Sequence, residues 1–279
     1  MKRYARSLAP LALLILLVSG MAGADQARKP APRPDSMTLW QARRTLPVAT
    51  EYLAWYRGTI DRNSFRFSPG SFEFDAVKSK SGTQHFKVDL QALEPVSIQC
   101  NMQVVGKELM CFLKNEVGKS RPLPLDLAWR EGSVWNAKCS ADCIYAAESF
   151  ASALNRLRAF ARDASSPLRT FTQRAAVWRA LPAKPPVPEQ VRIKRLLAEN
   201  AVKEKRPEEA LNQYESGLEI YPTWPQGCFN AALVAAELGF YADAVEHMQS
   251  YLELVPDAPD AQSARDQIVI WQDKTKENK

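Results

Sequence analysis

Histidine is nearly absent from this chain: His85 and His247 are the only two in 279 residues. That scarcity leaves little material for Ser/His/Asp or Cys/His chemistry, which needs an imidazole base beside its nucleophile. The helical pattern puts His247 on the outward side of its helix, and His85 adjoins a strand phenylalanine. The 11 glycines build no phosphate-cradling or dinucleotide-binding loop, and no zinc-protease helix motif occurs. Carboxylate pairs are present, but with no pocket to hold them they do not indicate glycoside chemistry. Beyond residue 24 no apolar run approaches the roughly 20 residues that span a bilayer. These gaps point away from an enzyme and away from any cofactor or metal.

What is present begins with Lys2, Arg3 and Arg6, an apolar run from Leu11 to Val18, and small residues ending Ala22-Gly23-Ala24. Basic, apolar and small segments in that order predict a secretory signal over residues 1–24 and a periplasmic or secreted product. Its removal would halve the formal net charge of +6. No other segment is expected to cross a membrane, and peripheral contact with a membrane surface stays open. Export makes nucleic acid an unsuitable partner. Five cysteines follow, Cys100, Cys111, Cys139, Cys143 and Cys228. An oxidising compartment favours pairing of the first four, for which three connectivities exist. Cys100 with Cys111 and Cys139 with Cys143 are favoured as sequence-local pairs; a metal site at Cys139-x-x-x-Cys143 is the alternative, and it lacks a second nearby ligand pair. Cys228 is expected to be a free, buried thiol.

Residues 25–36, with Pro30, Pro32 and Pro34, predict an extended tether. Helical spacing from Thr38 to Tyr56 is interrupted at Pro47. From Ser64 to Trp129 the period becomes two, as in Phe72, Phe74 and Ala76, or Val96, Ile98 and Cys100, which predicts antiparallel strands with one buried face. Gly106-Lys107 would close the hairpin that joins Cys100 to Cys111. Helical spacing returns over residues 140–162 through Ala147, Phe150, Leu154, Leu157 and Ala161. Ser166-Pro167 is a cap followed by a first-turn proline, opening a helix over 167–181 with Phe171 and Trp178 on one side. The expected fold class is α+β: a sandwich-like domain over 37–181, closed by a helix, then an all-α part. The order of elements over about residues 60–162 resembles the pleckstrin-homology or GRAM class of bent β-sandwich.

Four prolines within residues 182–188 mark a linker. After it the chain matches itself at a shift of 34 residues: Ala198 with Ala232, Ala210 with Ala244, Leu218 with Leu252, Glu219 with Glu253 and Pro222 with Pro256. Small residues let paired helices approach, and Pro222 and Pro256 stop the second helix of each pair. Residues 189–273 thus resemble tetratricopeptide repeats, two hairpins and a capping helix. Lys194 and Cys228 stand where the family has an aromatic, and Tyr251 where it has a small residue.

The resemblance implies a concave groove that holds a protein or peptide, formed here by Arg192, Arg195, Glu199, Phe229, Asn230 and Leu233. Arg195 and Asn230 match part of the basic and asparagine set with which some members clamp a terminal carboxylate. Residues 150–195 carry ten basic side chains against Asp163 and Glu189, whereas residues 201–279 carry seven against fourteen acidic ones. The basic helices are therefore expected to lie over the acidic repeats, the helix at 167–181 docking on the first repeat. The expected role is an interaction module of the cell envelope. A lipid or small-ligand carrier, with an apolar cavity lined by Phe72, Phe74 and Met102, is the alternative.

Overall fold

The structure is a computed structural model that describes residues 31–50, 53–55, 58–68, 70–78, 82–102, 109–115, 127–129, 139–163 and 170–277. The signal segment, residues 25–30 of the tether, Gly106-Lys107, Ser166-Pro167 and the side chain of Met102 lie outside what is described.

The first helix, α1 (Leu39–Val48), is opened by a capping box in which the Thr38 hydroxyl accepts from the Gln41 amide while the Gln41 side chain accepts from the Thr38 amide. Pro47 does not divide a longer helix. It sits one residue from the end of α1, so the helix stops there and does not resume, and the chain leaves α1 for strands β1 (Leu53–Trp55) and β2 (Gly58–Ile60), so the sheet starts before Ser64. Strands β3 (Arg66–Ser68), β4 (Ser71–Lys78), β5 (Gly82–Asp89), β6 (Val96–Met102), β7 (Leu109–Asn115) and β8 (Leu127–Trp129) complete an eight-stranded antiparallel sheet. Its order is β3-β4-β2-β1-β8-β7-β6, with β5 also paired to β4.

Register follows the alternation. Phe72 faces Val88 and Phe74 faces Phe86 across β4 and β5, all four buried, while Glu73, Asp75, His85 and Lys87 take the other face. Phe65 stacks on Phe74 at 5.3 Å and Phe74 on Phe86 at 5.5 Å, so the inner face is a ladder of rings. Helix α2 (Ala141–Asp163) buries Ala147, Phe150, Leu154, Leu157 and Ala161 in the same core. Asn155 on α2 accepts from the Val96 amide at 2.9 Å and donates to its carbonyl at 2.7 Å, tying the helix to the start of β6. Cys100 and Cys111 are direct partners across β6 and β7 and form a disulfide, and Cys139 and Cys143 form the second. Both cysteines of the alternative metal site are thus bridged to each other.

Helix α3 (Phe171–Ala180) starts later than Ser166-Pro167 suggests, because Thr170 and Gln173 form its capping box. Residues 182–188, which bend at 182–183 and join no helix or strand, lead to five consecutive helices: α4 (Glu189–Lys203), α5 (Pro207–Ile220), α6 (Pro225–Glu237), α7 (Tyr241–Leu254) and α8 (Ala261–Glu277). Ala198, Ala210, Ala232 and Ala244 are wholly buried where the helices meet. Trp224 fills the seam between the hairpins, packed so closely over Gly217 and Gly227 that a Cβ at Gly227 would stand 2.1 Å from its ring. Cys228 is buried and unbridged, and burial pushes its thiol up to about 12. The fold is α+β, with one core under the sheet and a second among α3 to α8.

Candidate functional site

Two features of the repeat region can carry function: the face through which it holds the rest of the chain, and the face it leaves open. The holding face lies along α5 and α7. Glu215 occupies the apolar stripe of α5 between Leu211 and Leu218 and is fully buried. A carboxylate there needs charged or hydrogen-bonding partners to offset lost hydration, and α1 supplies them. Thr38 donates its hydroxyl to Glu215 at 2.7 Å, and Arg44 donates to both Glu215 oxygens at 2.8 and 3.0 Å. Arg44 also donates to Asp243 on α7 at 2.5 Å and lies over the Phe240 ring. One turn along α5, Glu219 accepts from the Leu39 amide at 2.5 Å and from Arg156 of α2 at 2.7 Å, while Arg156 also donates to the Met37 carbonyl. Arg43 adds a partly exposed pair with Glu246.

The carboxyls differ because their partners differ. Burial alone would raise Glu215, yet His247 and Arg44 outweigh it and hold the group below the ordinary carboxylate range. Asp243 is raised by burial, since the single donor it shares with Glu215 does not compensate; Glu219 is raised by burial too, against the Leu39 amide and Arg156. For Arg44, desolvation opposes its charge and the two acids override it, so its pKa rises.

His247 corrects the sequence expectation. Its side of α7 does point away from the repeat, but α1 covers that side, so the ring is 1% exposed. Its ring packs at a tilt of 40° against Trp40, centroids 4.8 Å apart, and its Nε2 stands 3.7 Å from Glu215, beyond hydrogen-bonding length. His85 lies on the solvent face of the sheet, 2.7 Å from Asp75. Among the described residues no group of three or more His, Cys, Asp or Glu side chains is placed to hold a metal ion.

The basic helices divide their labour. Arg156 reaches the acidic repeats, whereas Arg158 and Arg162 donate to the carbonyls of Leu93 and Gln91 beside the sheet. Helix α3 packs mainly on α7 of the second hairpin, which differs from docking on the first repeat. Arg179 donates to the Glu253 carbonyl, Thr172 to the Glu253 carboxylate at 3.3 Å, and Trp178 donates its indole N–H to Tyr221, at the end of α5, at 3.3 Å. Residues 182–188 carry the chain from there to α4.

The open face lies on α4 and α6. Arg192 and Leu233 are exposed, and Arg195 and Glu199 are half-exposed, 3.6 Å apart. Arg192 pairs with Glu189. Phe229 packs edge-on against Tyr251, and Asn230 donates to the Tyr214 hydroxyl at 3.3 Å, so these two are engaged within the repeat core. The joint made by Thr38, Arg43, Arg44, Glu215 and Asp243 escaped sequence reading. Its signals were the Thr38-x-x-Gln41 box and an acid at an apolar position of α5. No family model matches the chain, and no curated protein matches it.

Proposed function

We propose that the protein is an exported, non-catalytic interaction module of the cell envelope, in which tetratricopeptide-like hairpins bind a protein or peptide along α4 and α6. One observation carries the reading: α1, α2 and α3 are bound along α5 and α7, while Arg192, Arg195, Glu199 and Leu233 on α4 and α6 keep water-facing surface. The two disulfides accord with an oxidising compartment, and no described helix is long and apolar enough to cross a membrane. In this reading the sandwich-like, pleckstrin-homology-like sheet domain is a rigid mount.

The lipid-carrier alternative is less well supported, because Phe72 and Phe74 are spent in the stacked core and a pocket at Leu39, Phe67, Leu90, Leu157 and Phe160 has room for about one water molecule. The test is capture from an envelope extract by the chain lacking residues 1–24, beside its Arg195→Glu/Leu233→Glu variant. A protein retained by the first and lost by the second supports the groove. Equal retention by both removes it.

A further inference from the structure

Repeat stacks bury each hairpin against the next and leave their two ends needing cover. At the C-terminal end α8 packs on α7. At the other end α4 presents Ile193, Leu196 and Leu197, each 46–47% exposed. The 34-residue register shows what that surface is for. The same three positions in the second hairpin are Gly227, Asn230 and Ala231. Gly227 lies under Trp224, Asn230 bonds to Tyr214 of α5, and Ala231 is wholly buried. In the second hairpin these positions form the seam with the helix before it, and there small residues and asparagine suffice. In the first hairpin they carry three large aliphatic side chains and face water.

The geometry points to a second copy of this chain as the occupant, with α4 packed antiparallel on α4 of its twin about a two-fold axis near Leu196. Charge placement selects this arrangement. Glu189, Ile193, Leu196, Asn200 and Lys203 recur at alternating steps of four and three along one exposed stripe. An acid opens the stripe and a base closes it, each seven residues from Leu196. Antiparallel pairing about Leu196 therefore sets Glu189 of each copy opposite Lys203 of the other, twice by symmetry, with the aliphatic side chains between. A parallel pairing would put like charges together at both ends. The contact meets the proposed groove only at Arg192, the partner of Glu189, and uses a different face of α4 from Arg195 and Glu199, so it leaves the rest of the groove open and joins two grooves in one particle.

Sedimentation velocity over a concentration series, on the oxidised chain lacking residues 1–24, tests this. The expected result is a monomer–dimer equilibrium that Leu196→Glu/Leu197→Glu weakens at least about tenfold with the circular dichroism spectrum unchanged. Glu189→Lys should weaken it less, and Glu189→Lys/Lys203→Glu should restore it; this pair decides the matter should the leucine variant fold poorly. Leu233→Glu should leave self-association alone, which separates this contact from the groove. A single monomeric species at all concentrations overturns the proposal, and so does a dimer indifferent to the leucine and charge variants, which would be built elsewhere.

Discussion

Glu219 and Glu253 stand at the same place in the two hairpins, 34 residues apart, yet they hold different things. Glu219 receives the Leu39 amide and Arg156, so the first hairpin grips the sheet domain through α1 and α2. Glu253 receives Thr172, and its carbonyl takes Arg179, so the second grips α3. The neighbouring positions diverge further: Glu215 is buried under Arg44, and its counterpart Gln249 is exposed. A repeat therefore supplies equivalent anchors, and the chain that precedes the repeats determines what each anchor is worth.

That contrast is broken most strongly at the buried position. Glu215→Ala should cost about 3–5 kcal/mol, because Arg44 and Thr38 lose their acceptor inside the joint, whereas Gln249→Ala should be near neutral. Denaturant titration of both variants measures the difference, and equal small effects would mean that the joint is wet. The next effect compares the two halves. Replacing Cys100 and Cys111 by alanine should destabilise the sheet domain by about 2–3 kcal/mol through the loop they close, while labelling of Cys228 in the native protein stays slow. Fast Cys228 labelling in the variant would show that the halves unfold together.

Trp178→Ala should cost about 1–2 kcal/mol, since the ring is only half-buried, and should free α3 while α1 stays bound to Glu215. Hydrogen exchange resolves this: faster exchange confined to α3 is expected, and faster exchange in α1 as well would make the two grips one unit. The smallest effect is in pH. Glu215, depressed in the folded protein, contributes stability that is present above its ordinary 4.5 and is lost as pH falls through the lower folded value. Asp243 and Glu219 are raised, so their ionised forms cost stability and that cost is relieved as pH falls. The opposing signs flatten the acid limb. Asp243→Asn removes one compensating group and should make stability fall more steeply below about pH 5.

Much of the architecture could be read along the chain, because it rests on local periodicity. The Phe72/Phe74 alternation, the Ala147 to Ala161 stripe and the 34-residue register each report a buried face, and each is found buried. The local cysteine pairs follow from strand register and from a four-residue spacing at the start of α2. Other readings depended on partners the sequence does not announce. Leu53–Trp55 continues an apolar helical pattern but becomes a strand because β8 and β2 are there to pair with it. His247 lies on the outward side of its hairpin, and only the arrival of α1 makes that side interior.

By itself the sequence determined most of the elements, their order and the length of the repeat, and favoured the disulfide neighbours, since these follow from spacings of two, three to four, and 34 residues. Which face of the repeats would be covered was decided only by the tertiary structure. Arg44 is 171 residues from Glu215 and Thr38 is 177, and no local period links charges so far apart. Their meeting follows from the packing of α1 between two cores, with Trp40 in contact with both. The same packing leaves the α4 side of the stack facing water.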